Sequence, residues 1–226
     1  MVLESTGVLG WIDDILRGRA RASGQRSALP QVCAEVASVV LFGSVYGIVM
    51  GAHGEARLLQ MVYSGLKIPL LILSSFLLTL PAVCMLQWFL GLHHDLGRTI
   101  RTLMRMQVGV AVFFAAMAPV VAFLYVSGIS YWLALIVNVL VFGLGSLYGF
   151  MLLRELQRDL VARDARHRWC IRAWVGLYAV VVIQMAWMMR PFVGDPTLAT
   201  EFFRGGQWDN AYLVVGELLL RTMSGS

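Results

Sequence analysis

The feature that most constrains this chain is the recurrence of long apolar runs with almost no charge. Five of them, at approximately 32–51, 66–91, 107–127, 130–153 and 171–190, are long enough to cross a hydrocarbon core, which takes roughly 20 helical residues. In lipid only helices and closed barrels satisfy every backbone N–H and C=O. The runs are continuous and lack the period-two alternation of a barrel strand, so they are expected to be helices. The expected fold class is all-α: a polytopic membrane helix bundle of five transmembrane helices, with short amphipathic surface helices at both ends. Composition agrees. The chain is 59% hydrophobic and 14% charged, where a soluble domain carries about a quarter charged residues.

The placement of the arginines sets the expected orientation. Thirteen basic residues fall on one side of the spans: Arg17, Arg19, Arg21 and Arg26; Arg98, Arg101 and Arg105; and six between Arg154 and Arg172. The other side holds five, Arg57, Lys67, Arg190, Arg204 and Arg221. This asymmetry predicts a cytoplasmic N-terminus and an outside C-terminus. The preference for Arg over Lys, with abundant Ala, Val and Gly, suggests a bacterial genome rich in G and C, hence a plasma (inner) membrane. The segment "RELQRDLVARDARHRWCIR" looks like a DNA-contacting helix in isolation. It is interleaved with Glu155, Asp159 and Asp164 and stands between two spans. It reads as a topology-setting loop with affinity for anionic lipid, so membrane lipid is an expected partner and nucleic acid is not.

Three regions are expected. Residues 1–30 form an inner-side amphipathic helix, with Val8, Trp11, Ile12, Ile15 and Leu16 on one stripe, and a basic linker. Such a helix lies in the interface plane. Asp13 and Asp14 interrupt its apolar pattern and the arginines follow it, the reverse of a secretory signal. Residues 31–190 form the five-span bundle. Residues 191–226 form an outer loop and a second short amphipathic helix, with Tyr212, Val214, Val215, Leu218 and Leu219 on its apolar face. Cys33, Cys84 and Cys170 are widely spaced, without zinc-type spacing, and read as reduced small hydrophobes. No internal repeat appears.

Within the spans, Gly43, Gly47 and Gly51 give a doubled small-xxx-small spacing. Gly145 and Gly149 give another, with Asn138 on nearly the same face. Small residues let helix backbones approach, and Asn can bond across the contact. These six mark a helix-packing or oligomer seam. The intramembrane polar residues are Glu35, Gln87, Gln107 and Gln184 besides Asn138, and Glu35 alone among them is ionisable. Trp187, Arg190 and Asp195 form a candidate outer corner where Arg can snorkel to the headgroups.

Enzymatic signals are weak. "LHHDLGRT" after span two places His93, His94 and Asp95 in a row, and His167 lies on the same side. Neighbours on a helix point about 100° apart, so the two adjacent histidines do not readily share an ion. The four are weak metal candidates, and the preferred reading is a polar cap on span two. Ser146 in "FGLGSLYGF" is offset from the serine motif of rhomboid proteases, and span five has no histidine to act as its base. No catalytic residue and no cofactor is expected.

The stretch "GLKIPLLILSSFLLTLPAVCMLQWFLGLHHDLGRTIRTLMRMQVGVAVFFAAMAP" resembles the core of the Yip family and its bacterial relatives. The similar parts are a Lys-x-Pro opening at Lys67 and Pro69, an exit at Gly91, a short polar loop and a span carrying Pro119. With the span count, the resemblance covers roughly residues 30–190. It implies a non-enzymatic scaffold or trafficking-type membrane protein. The Arg-rich loop and the aromatic outer tail depart from that pattern, so GTPase binding is not carried over. The expected function is an integral membrane scaffold or accessory subunit binding a protein partner, or a second copy, in or beside the bilayer. The alternative is a small transporter or channel subunit using the kinked spans. A membrane enzyme with a His/Asp site comes third.

Overall fold

The computed structural model describes residues 10, 13, 28–54, 58–194 and 200–203. The two terminal amphipathic helices lie outside the described residues apart from positions 10 and 13. Five long helices, α1 (Ala28–Gly51), α2 (Leu58–Phe89), α3 (Leu96–Val126), α4 (Tyr131–Leu156) and α6 (Arg166–Met189), are joined by a 3-10 turn at His93–Asp95 and a short α5 (Arg158–Arg163). All five long helices are apolar enough to cross a membrane, and no strand occurs among the described residues.

The ends of these helices follow from local chemistry. At the end of α2, Gly91 adopts φ +71°, a conformation that costs glycine no Cβ clash. Its N–H donates to Trp88 O at 3.0 Å and that of Leu92 to Gln87 O at 2.7 Å, closing a Schellman motif. Ser130 starts α4 by accepting from the Leu133 N–H. The Asp164 carboxylate accepts the Arg166 N–H at 2.8 Å at the start of α6. Arg166 also chelates that carboxylate, and these bonds hold Asp164 below the usual carboxylate range.

Two helices outrun their apolar cores. α2 holds 32 residues and α3 31, roughly 48 and 46 Å at 1.5 Å per residue, against a hydrocarbon layer of about 30 Å. The apolar runs at 66–91 and 107–127 therefore understate both helices. Arg105, read from sequence as a loop charge, and Lys67, read as the opening of span two, each lie about 14 Å along their helices from the first residue. Helix extension, not loop, accommodates them, because the residues flanking the apolar runs continue the same helical hydrogen bonding.

In the packing, α1 lies against both α2 and α3, α4 lies against α3, and α6 lies against α2. The glycines explain the closest approaches. A Cβ on Gly47 would stand 2.8 Å from Gly65 Cα, and one on Gly51 would stand 2.7 Å from Gln60 O. Gly43 faces Pro69. On α4, a Cβ on Gly145 would meet Phe114 at 2.5 Å and one on Gly149 would meet Val110 at 2.7 Å. All five seam glycines are thus used between helices of the same chain. The rings of Tyr46, Phe114 and Phe142 fill the space between α1, α3 and α4, with centroids 5.1–6.0 Å apart. Pro81 and Pro119 are exposed on helices that continue through them.

Gly47→Leu will force α1 from α2 and is expected to cost about 1–3 kcal/mol or more. Gly143→Ala, where no atom lies within 4 Å, will be neutral or stabilising by a few tenths of a kcal/mol to about 1. Thermal unfolding of the detergent-solubilised protein, followed by size-exclusion fluorescence, reads the difference. Equal behaviour of the two variants would refute the seam.

Candidate functional site

Polar side chains concentrate at the arginine-rich end of the bundle, and most of them converge on the first turns of α3. Thr99, Thr102 and Arg105 recur every three residues and are buried. Helical periodicity keeps such residues on one side. Each meets a different neighbour. Gln87 of α2 donates its Nε2–H to Thr99 Oγ1 at 2.6 Å. Gln157, between α4 and α5, donates to Thr102 Oγ1 at 3.0 Å. Arg105 Nε stands 3.5 Å from Glu35 Oε1 of α1, with the two residues 4% and 1% exposed. Gln31 donates to the same oxygen at 3.3 Å. Two residues beyond Arg105, Tyr178 of α6 donates to Gln107 Oε1 at 3.1 Å.

The 3-10 turn adds a fifth link. His167 Nε2, buried at the start of α6, lies 3.3 Å from Asp95 Oδ2. Below this layer α5 turns under the bundle and buries Leu160. Several atoms in the layer are buried without a hydrogen-bond partner, among them Glu35 Oε2, Gln87 Oε1 and Gln157 Oε1. These three acceptors, each on a buried residue, leave hydrogen-bonding capacity in the layer that the described residues do not fill.

The opposite end has a different arrangement. Gln60, Ser64 and Lys67 follow i, i+4, i+7 spacing on α2, and all three are buried. Lys67 Nζ donates to Pro191 O at 2.6 Å. Gln60 Nε2 donates to Phe192 O at 3.2 Å, and the Ser64 hydroxyl donates to the same carbonyl. Lys67 Nζ also stands 4.9 Å from the Phe202 ring centroid, a cation–π distance. This row fastens the segment after α6 to α2. Toward the same end, Asn138 accepts from the Tyr46 hydroxyl at 2.8 Å and donates to the Tyr125 hydroxyl at 2.6 Å, and His53 packs edge-on against Tyr125.

The residues singled out from sequence are distributed as follows. Glu35, Gln87 and Gln107 enter the arginine-rich polar layer, and Asn138 bridges α1 to α3 and α4. Gln184 is half-buried on α6. Asp95 and His167 meet, while His93 and His94 are exposed, their rings tilted against each other with centroids 3.8 Å apart, and His93 stacks on Trp88. Among the described residues no three His, Cys, Asp or Glu are placed to hold a metal. Trp187 and Arg190 stack at 3.6 Å, and Asp195 lies outside the described residues. Cys170 is buried, Cys84 half-buried and Cys33 exposed, and all three thiols are free.

Sequence reasoning missed Arg105, Lys67, Thr99, Thr102 and Gln157 as interior groups. The available signal was register: Thr99-Thr102-Arg105 and Gln60-Ser64-Lys67 each mark one helical face. Comparison with protein-family models, curated proteins and solved structures gives no match for this chain.

Removing one member of a buried ion pair leaves the other uncompensated, at a cost of about 3–5 kcal/mol. Glu35→Ala is expected to destabilise by that order, whereas the paired replacement Glu35→Leu with Arg105→Met will recover most of the loss. Thermal melts of the three proteins test this. Additive losses would show that the two residues are not coupled.

Proposed function

We propose that the chain is a non-enzymatic scaffold or accessory subunit of the bacterial plasma membrane, with its arginine-rich end cytoplasmic and a protein partner seated against α4 and α6. The observation that supports this most is how little of these helices the fold itself uses. Of the most apolar window of each helix, 17% is buried in α6 and 28% in α4, against 44% in α2. Each of the two rests mainly along one neighbour. They leave Trp132, Leu140 and Leu147 of α4 and Trp169, Leu177 and Ile183 of α6 exposed. The interior polar groups, in contrast, largely bond within the chain. The five-span count and Lys-x-Pro opening keep a Yip-like scaffold the family reading that accompanies this proposal.

A photo-crosslinking residue at Leu140 or Ile183, introduced in the native membrane, is expected to capture one defined protein band. The same probe at Val39, which is buried, will capture none. Capture of lipid alone at both outward positions would overturn the partner reading.

A second reading, a small transporter or channel subunit, draws on the buried Glu35–Arg105 pair. Intramembrane ionisable pairs are frequent in ion and proton paths. If Glu35 carries protons or ions, Glu35→Gln will abolish flux across proteoliposomes containing the full chain. Absence of flux with the unaltered protein leaves the scaffold as the better account.

A further inference from the structure

We propose that the arginine-rich end carries a binding collar for anionic phospholipid headgroups, with Arg154, Arg163, Arg168 and Arg172 as its phosphate-engaging side chains. The collar requires only that the helices cross a bilayer, whichever protein α4 and α6 meet.

Charge accounting within the segment comes first. Between Arg154 and Arg172 there are six arginines and three acids. Two of the acids are taken: Glu155 pairs with Arg158 at 3.5 Å, and Asp164 with Arg166 at 2.7 Å. Asp159 remains on α5. The four proposed arginines are exposed, and none stands within ion-pair distance of a carboxylate among the described residues. Nearby, Asp95 is engaged with His167 and Glu35 with Arg105. The surface is therefore left with an excess of guanidinium over carboxylate that the described residues do not neutralise.

The second observation fixes the depth of these groups. The Arg154 guanidinium lies 4.0 Å from the Phe150 ring centroid, and that of Arg172 lies 5.7 Å from Trp169. Exposed aromatic residues mark this level of the bundle: Trp88 at 68% and Phe89 at 84% at the end of α2, and Trp169 at 67% near the start of α6. Exposed Trp at the ends of transmembrane helices sits at headgroup level. An arginine stacked on such a ring keeps its planar N–H fork open, the geometry that matches a phosphate oxygen pair. Cationic residues at headgroup depth next to aromatic rings thus select a negatively charged lipid surface.

The test uses the full chain, purified in mild detergent and offered phosphatidylglycerol or phosphatidylcholine, with bound lipids counted by native mass spectrometry. Phosphatidylglycerol is expected to be retained preferentially, more weakly at high salt. Substituting R154Q, R163Q, R168Q and R172Q will reduce that preference, on the order of fivefold per arginine removed. Removing the surface pair whole, E155Q with R158Q, leaves the net charge unchanged and will change it by less than about twofold. A melting temperature in phosphatidylcholine matching the parent confirms that the quadruple variant folds. Should it not match, the single variants R163Q and R168Q carry the same comparison. Equal retention of the two lipids by the unaltered protein overturns the collar. So does an equal effect of the charge-neutral E155Q and R158Q double variant, displacement of lipid by millimolar inorganic phosphate, or retention of RNA in place of lipid. Crosslinking at Leu140 and Ile183 is independent of these arginines, so failure of one proposal leaves the other standing.

Discussion

The structure depends on a single constraint: a polar group inside a membrane has no water to bond, so it must find its partner in the protein. α3 is where that constraint is met most often. Along one stretch it holds Gln87 of α2 through Thr99, Gln157 below α4 through Thr102, Glu35 of α1 through Arg105 and Tyr178 of α6 through Gln107. Four neighbours are thereby registered on one helix. Apolar packing alone does not do this, since lipid tails are as apolar as the side chains they would replace. The net worth of each such bond is modest, yet leaving any one of its members unpaired in the interior is costly. The links therefore specify which helix lies where more than they add to total stability.

The glycine contacts supply what these links need. Hydrogen bonds between side chains of neighbouring helices require backbones that approach to a set distance. Gly47 and Gly51 let α1 lie directly on α2 at Ser64 and Gln60. Those same two residues, with Lys67, bind the carbonyls of Pro191 and Phe192. The α1 contact and the strap after α6 therefore meet at one short part of α2. At the other end Gly145 and Gly149 seat α4 on the Phe114 and Val110 face of α3. Close approach and polar fastening occur on the same elements, which accounts for a bundle in which α4 and α6 remain peripheral but fixed in register.

Much of the architecture was legible because its signal is collective. Five runs of some twenty apolar residues leave no alternative to helices, whatever the individual side chains do. The glycine spacing at 43, 47 and 51 was equally readable as a close contact. Its partner was not, because spacing says that a helix approaches and not which helix. The interior charges were harder. Arg105 flanks its apolar run, so hydropathy alone assigns it to a loop, and Lys67 stands at the very opening of its own. α2 and α3 continue past those runs, so their buried surroundings depend on helices distant in sequence. Asp95 and His167 lie 72 positions apart, and nothing local announces that they meet. His93 and His94 looked more conspicuous than either, yet both are exposed and only His93 stacks, on Trp88.

Deep and shallow basic residues are handled in opposite ways, and the difference bears on function. Where a basic residue lies deep, as at Arg105 and Lys67, it is matched inside the chain by a carboxylate or by backbone carbonyls and an aromatic ring. Where basic residues lie shallow, from Arg154 to Arg172, the described residues match only some of them. A buried charge left unmatched carries a desolvation penalty of several kcal/mol, while an exposed one costs little and its pairing gains little. Matching is therefore placed where the physics demands it, and the unmatched excess stands where it can meet something outside the protein. That surface, together with the apolar sides of α4 and α6, is what the fold leaves available for interaction.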